Sequence, residues 1–223
     1  MIPAVTKYRP SVINSILLLH FDGTNGSTTF TDVYSHAFTA HGSAALSTTQ
    51  IKFGTASLRC PGVTDWISTP DTAALRGAGD WTAEFWVFSA QIPNMTFCAK
   101  RAIQTAAKGI LVFYDGGAAL GASASVNGTS FVTITTSVFP TANTWHHVAF
   151  VRNGSTMTLY SDGVSAGTAT LSGALSDDGS AFTIGAAAAD NSGTPFTGFI
   201  DEFRYSNVAR YTSNFTPAGP FTF

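Results

Sequence analysis

Three dipeptides, Asn127-Gly128, Asn153-Gly154 and Asp162-Gly163, each sit between two short runs of apolar and β-branched residues. Asn-Gly and Asp-Gly tolerate positive φ at both central positions of a tight loop, the backbone twist that antiparallel hairpins need. The flanking runs are 120–126, 130–136, 145–152, 155–161 and 164–170, and similar runs occupy 16–21, 56–60, 64–69, 81–89, 109–115, 181–185 and 197–205. All are predicted as strands. No long stretch spaces its apolar residues at helical intervals. The prediction is an all-β, antiparallel sandwich. No repeat of solenoid or propeller length appears, and 223 residues suit one core. A single domain is the simplest account.

The two ends carry matching signals. Ile16-Leu17-Leu18-Leu19-His20-Phe21-Asp22-Gly23 and Gly198-Phe199-Ile200-Asp201-Glu202-Phe203-Arg204 are apolar strand-like runs, each with acid at its edge. They are expected to lie side by side and close the sandwich. Residues 12–21 follow Lys7 and Arg9, yet the run ends on His20-Phe21-Asp22 rather than on small residues. It therefore reads as a strand and not as a cleavable signal peptide, and it is too short to span a bilayer. In Trp145-His146-His147-Val148-Ala149-Phe150-Val151 both alternating faces are largely apolar. That is the pattern of a strand buried on both sides. Pro3 and Pro10 make residues 1–13 an extended arm.

Composition narrows the functions. A net charge of −2, with 11% charged residues, offers no field to draw nucleic acid or an anionic membrane. Glycan hydrolysis uses paired carboxylates, but the only two glutamates, Glu84 and Glu202, lie in different motifs. Glu84 is expected to make a structural hydrogen bond at a sheet edge. His146 and His147 are adjacent, so on a strand they face opposite sides and cannot share a metal. The G-x-S-x-G spelling occurs at Gly163-Val164-Ser165-Ala166-Gly167, but it runs along the predicted strand 164–170 and not at a strand-to-helix turn that would expose a nucleophilic serine. The chain is therefore read as non-enzymatic. Cys60 and Cys98 read as buried thiols, with a disulfide possible only if they are neighbours. Sugar binding would need an exposed aromatic beside polar groups. Tyr34, Trp66, Tyr114 and Phe131 are the candidates.

Several blocks together resemble a laminin-G-like domain of the concanavalin A-like lectin/glucanase superfamily. They are Leu18-Leu19-His20-Phe21-Asp22-Gly23, Lys52-Phe53-Gly54-Thr55-Ala56-Ser57-Leu58 and Asp65-Trp66-Ile67. Further along come Asp80-Trp81-Thr82-Ala83-Glu84-Phe85-Trp86-Val87, Thr144-Trp145-His146-His147-Val148-Ala149, Met157–Gly163 and Gly198–Arg204. The resemblance implies a concanavalin A-like jelly-roll sandwich of two curved antiparallel sheets, about twelve to fourteen strands, over residues 14–217. A short tail, 218–223, follows.

The ending Ala209-Arg210-Tyr211-Thr212-Ser213-Asn214-Phe215-Thr216-Pro217 is similar to that of such domains in bacteriophage structural proteins. This implies a virion protein, made in the host cytoplasm and present in many copies as a capsid decoration or tail subunit. Its expected partners are other virion proteins and host surface glycans, with residues 1–13 and Phe215–Phe223 as docking elements. A dedicated carbohydrate-binding module is the alternative reading, and a glycan hydrolase a third. Related domains often hold a structural Ca²⁺ near the first and last strands. Asp22 and Asp201 are the carboxylates at those places, helped by turn carbonyls at 24–26. The other reading is that Asp22 caps a turn and Asp201 accepts backbone hydrogen bonds.

Overall fold

The computed structural model describes residues 14–222, apart from 92, 117–118, 138–140 and 192. The arm expected at 1–13 lies outside the described residues. In chain order the strands are β1 (Ser15–Leu19), β2 (Thr39–His41), β3 (Ala45–Ser47), β4 (Ser57–Cys60) and β5 (Trp66–Thr69). After a one-turn 3₁₀ helix at Ala73–Arg76 come β6 (Trp81–Phe88), β7 (Met95–Lys100), β8 (Ile110–Asp115), β9 (Ala119–Ala124) and β10 (Val132–Thr135). The chain continues with β11 (His146–Asn153), β12 (Thr156–Ser161), β13 (Val164–Thr170), β14 (Phe182–Ile184) and β15 (Gly198–Ser206).

These fifteen strands, among the described residues, form two antiparallel sheets rather than the twelve to fourteen implied by resemblance. Sheet A runs β13-β12-β11-β6-β15-β4-β3, with β1 also paired to β15; sheet B runs β10-β9-β8-β7-β14-β5-β2. Of the three turn dipeptides one takes positive φ at both positions; at Asn127-Gly128 and Asn153-Gly154 only the glycine does (φ 74° and 60°). Asp162 (φ 48°) and Gly163 (φ 78°) both take positive φ between β12 and β13, the signature of a type I′ turn.

The first and last strands do close the sandwich. Leu17, Leu18 and Leu19 face Tyr205, Arg204 and Phe203 across the β1–β15 ladder. Alternation then sorts the side chains: Leu17, Leu19, Phe203 and Tyr205 enter the core between the sheets, while Leu18 points outward. On β6 and β11 the inward set is Trp81, Ala83, Phe85, Val87, Val148 and Phe150. Each fully buried Leu or Phe of this kind contributes about 1.5–3 kcal/mol.

The outward faces of these strands are apolar too, and the chain after β15 covers them. Ala209, Tyr211 and Phe215 pack on Ala149, Val151 and Tyr160, and Phe221 packs on Leu18 and Trp86. Phe215 stacks on Tyr211 with ring centroids 3.5 Å apart. Phe221 is only 5% exposed. The segment expected to dock on a partner is thus seated on its own sheet, because the outward face of two central strands would otherwise leave apolar surface in water.

Three strands escape the pattern reading. β2 and β3 have three residues each. β7 (Met-Thr-Phe-Cys-Ala-Lys) is buried at every position and ends on a buried lysine, so it shows no alternation.

Candidate functional site

At the closure, Asp22 and Asp201 converge on one loop. Asp201 is wholly buried; its Oδ2 accepts the N–H groups of Lys52 (2.9 Å) and Phe53 (3.0 Å), and its Oδ1 accepts that of Glu202 (2.9 Å). Asp22 Oδ1 accepts the N–H and hydroxyl of Thr55. Between them Gly54 has φ 63°, and a Cβ there would collide with the Asp22 carboxylate. This explains Lys52-Phe53-Gly54-Thr55 as a block: its backbone is gripped from both sides, and glycine is needed where the carboxylate approaches.

Glu202 sits at a bulge in β15 with φ 52°. Its carboxylate contacts His20 Nδ1 (2.8 Å) and accepts the Phe221 N–H (2.7 Å), tying the last residues to the closure. Burial pushes the Asp201 carboxyl up to about 7, against the backbone N–H groups that favour its ionised form. Burial raises Glu202 as well.

A calcium ion shared by Asp22 and Asp201 does not suit these donors, since the Asp201 oxygens already accept three N–H groups. Among the expected helpers, the Thr24 carbonyl accepts Ser27 N–H at 3.0 Å. Among the described residues no group of three or more His, Cys, Asp or Glu gathers where an ion could sit. Six to eight oxygens are normally required.

Glu84 does make structural hydrogen bonds, but at the centre of sheet A, between β11 and β15, and not at an edge. It is wholly buried beneath the C-terminal segment. Arg204 contacts its Oε1 through Nε (2.8 Å) and Nη2 (2.7 Å), and the Tyr211 hydroxyl donates to Oε2 (2.7 Å). Burial alone would raise this carboxyl; the His147 ring, 3.4 Å away, and the Arg204 guanidinium outweigh it and hold Glu84 below the usual range. Arg204 also donates to the Thr222 carbonyl (2.7 Å) and lies 4.3 Å from the Phe221 ring centroid.

The two histidines point to opposite sides, as adjacent strand residues must. His147 is buried among Trp86, Tyr211, Phe215 and Phe221. His146 is the half-buried one and pairs with Asp162 at 2.7 Å. Glu84 and Glu202, the two glutamates, are 0% and 1% exposed. Cys60 and Cys98 are free and buried, and burial pushes both thiols up.

On the outward face of sheet B, β8 presents the partly or fully exposed Leu111, Phe113 and Asp115. A cleft of about 200 Å³ opens there beside β7 and β8, lined among others by Asn94, Arg101, Gln104, Phe113, Asp115 and Thr194. The far edge of the half-buried Phe113 ring rests over Gly121 on β9; a Cβ at that position would collide with it. Arg101 is buried and donates to the Ala187 and Gln104 carbonyls, with its guanidinium 5.7 Å from the Phe131 ring centroid. Tyr114 also lines the cleft, and its buried hydroxyl has no hydrogen-bond partner.

Of the four aromatics expected from sequence to be exposed, Tyr114 borders this cleft but is buried with its ring in the core, and Phe131 does not line it, its ring lying 5.7 Å from the Arg101 guanidinium. The other two are elsewhere: Trp66 is stacked under His41 at 3.6 Å, and Tyr34 packs on the Leu18–Trp86 cluster. Sequence reasoning missed Phe113, which looks like any strand phenylalanine. The one available signal was the small-residue run Ala119-Leu120-Gly121-Ala122 on the next strand.

A wider hollow of about 470 Å³ lies at the end of β6 and β15, floored by Phe88 and Phe199 and edged by Arg59. No buried unpartnered polar atom lines it among the described residues.

A family model described as the concanavalin A-like lectin/glucanases superfamily matches residues 61–213. No curated protein matches the chain in sequence. Among solved structures, the binding domain of Paraclostridial Mosquitocidal Protein 1 is similar, with a TM-score of 0.68 and 13% identity over 89% of this chain and 50% of that one. The binding domain of botulinum neurotoxin DC, solved in complex with SialylT, gives 0.62 and 13% over 88% and 48%. Domain 4 of AbnA, a GH43 extracellular arabinanase from Geobacillus stearothermophilus, was solved in complex with arabinotriose. It gives 0.64 and 19% over 88% of this chain and 94% of that one. The chain spans about half the length of the toxin binding domains it resembles.

Proposed function

The chain belongs to the concanavalin A-like lectin/glucanase superfamily, and from that premise we propose that it is a non-enzymatic carbohydrate-binding module that takes a glycan in the cleft beside Phe113. The observation that carries this is the Phe113 ring, supported on Gly121 and surrounded by amide, hydroxyl, carboxylate and guanidinium groups. A pyranose or furanose ring presents apolar C–H faces and a rim of hydroxyls. It pairs with an aromatic face and with directional polar groups. The complexes of similar folds with SialylT and arabinotriose favour the same class of ligand. Burial of both glutamates argues against acid–base cleavage.

The test is a glycan array followed by calorimetry on the best binder. Phe113→Ala is expected to weaken binding at least tenfold while leaving the thermal midpoint within a few degrees. An array without any reproducible binder, or affinity unchanged in that variant, overturns the assignment to this cleft.

The finer proposal is that the module is carried in many copies on a bacteriophage capsid or tail, with virion proteins and host surface glycans as partners. Its support is the resemblance of Ala209–Pro217 to the endings of phage structural proteins. Deleting residues 1–10 should abolish incorporation into particles, read by immunoblot of purified virions. Normal incorporation would refute the docking role of the arm.

A further inference from the structure

Arg101 follows β7 at one end of the sheet B cleft and is 4% exposed. Its Nε donates to the Ala187 carbonyl and its Nη1 to the Gln104 carbonyl (2.8 Å). A guanidinium carries five N–H groups and keeps its charge in proteins, so these bonds use only two of the five. Nη2, with two more, has no hydrogen-bond partner among the described residues. It is not sealed from solvent, as the buried unpartnered polar atoms of the core are, and it therefore reaches the cleft that Arg101 lines. Both bonds end on uncharged carbonyls, and the Asp190 carboxylate acts on the guanidinium only through space. A charge held this deep without a counter-charge in contact is costly, and the open side of the cleft is where one can be supplied.

The strand register gives the cleft a direction. Ala99 pairs with Leu111 and Met95 with Tyr114, so Arg101 lies at the Leu111 end of β8 and Asp115 at the other. Leu111 and Asp115 are four positions apart, about 14 Å at the rise of an antiparallel strand. Phe113 stands between them. Resting on the assignment of a glycan to this cleft, we propose that the glycan is acidic: a uronic acid or another carboxylate-bearing sugar, whose carboxylate meets Arg101 Nη2 while its ring packs on Phe113. A guanidinium–carboxylate hydrogen bond is roughly twice as strong as a neutral one, and a neutral sugar cannot form it. Asp115, Asn94 and Thr194 are left for hydroxyls at the far end. The charge of Asp115 does not cancel the attraction, since about 14 Å exceeds the screening length of about 8 Å at physiological salt.

The probes are trigalacturonate, a hyaluronan tetrasaccharide and 3′-sialyllactose, each beside its methyl ester, which keeps the shape and removes the charge. Calorimetry on the full chain should find at least one acid bound about tenfold or more tighter than its ester. That affinity should fall about threefold or more as NaCl is raised from about 20 to about 500 mM, while the ester's stays level. Phe113→Ala should weaken acid and ester alike. Arg101→Gln should bring the acid down to the level of its ester and leave the ester unchanged. Because Arg101→Gln also loses the bonds to the Ala187 and Gln104 carbonyls, the wild-type chain carries a second readout. Its Arg101 Nε–H resonance should shift on adding the acid and stay in place with the ester. An ester bound as tightly as its acid, with both weakened by Phe113→Ala, overturns the acidic ligand and leaves the cleft assignment standing. So does a cleft that takes neutral glycans and none of the acids. An acid preference that survives in folded Arg101→Gln, or an acid that leaves the Arg101 resonance unmoved, also overturns the proposal. Acid and ester both indifferent to Phe113→Ala, or no glycan bound at all, refute the cleft itself and the acidic ligand with it.

Discussion

Replacing Glu84 by Gln removes one charge from a wholly buried site. Arg204 is 6% exposed and contacts Glu84 through two nitrogens, at 2.8 and 2.7 Å; Arg210 Nε lies 3.7 Å from the same oxygen. Glutamine matches glutamate in volume, so the packing of Tyr211, His147 and Phe221 over β6 is preserved and only the charge is lost. The guanidinium groups of Arg204 on β15 and Arg210 in the C-terminal segment then remain at their seam without that counter-charge. Breaking a buried ion pair from one side costs about 3–5 kcal/mol. In a chain of this size each kcal/mol lowers the midpoint by about 2–4 °C, so the expected drop is about 6–20 °C. Equilibrium urea unfolding, followed by tryptophan fluorescence, measures the free energy directly. The double variant Glu84→Met/Arg204→Met should lose less than the sum of the two single changes, by about 0.5–3 kcal/mol, because it removes both charges together. A loss below about 1 kcal/mol for Glu84→Gln would refute the claim that this carboxylate holds the cover in place.

Further outcomes test the closure and the cleft. The Asp201 carboxyl should titrate near 7 by ¹³C NMR, well above its ordinary 3.8. Since the folded value exceeds the unfolded one, its contribution to stability is fully present below about 3.8 and lost as pH rises through about 7. Asp201→Asn should flatten that part of the stability profile, and an unchanged profile would show that other groups set it. A chelator should leave the melting temperature unchanged, because Asp201 already serves backbone donors; a fall reversed by Ca²⁺ would reinstate a metal held at Asp22 and Asp201. Gly121→Ala should lift the Phe113 ring and weaken glycan binding about as much as Phe113→Ala does, read by the same calorimetry. Truncation after Ser206 should expose the outward face of sheet A and yield an aggregating chain, checked by light scattering; a soluble monomer would contradict the covering role of residues 207–222.

The strands and turns were legible because their causes are local. Asp162-Gly163 accepts positive φ wherever it occurs, and alternation in β6, β12 and β15 follows from side chains that face opposite ways on a strand. The pairing of the first and last strands could also be anticipated from their matched apolar runs. β7 could not be, since a strand buried on both faces shows no alternation and its lysine argues the other way.

Local pattern also fails where one residue's role depends on distant backbone. Asp201 looks like a metal ligand by position. Only the fold brings Lys52 and Phe53, 149 and 148 residues away, to its oxygens. Phe215 and Phe221 read as a sticky tail until β6 and β11 present an apolar outward face for them to cover. Phe113 becomes a platform only because Gly121 is its neighbour on β9 and leaves room for the ring. Sequence alone determined that the chain folds as an antiparallel sandwich closed by its own ends, because hairpin turns and strand periodicity act over a few residues. Which face is sealed, which is open, and which buried polar atoms lack partners were decided by tertiary structure, because these depend on contacts between residues far apart in the chain.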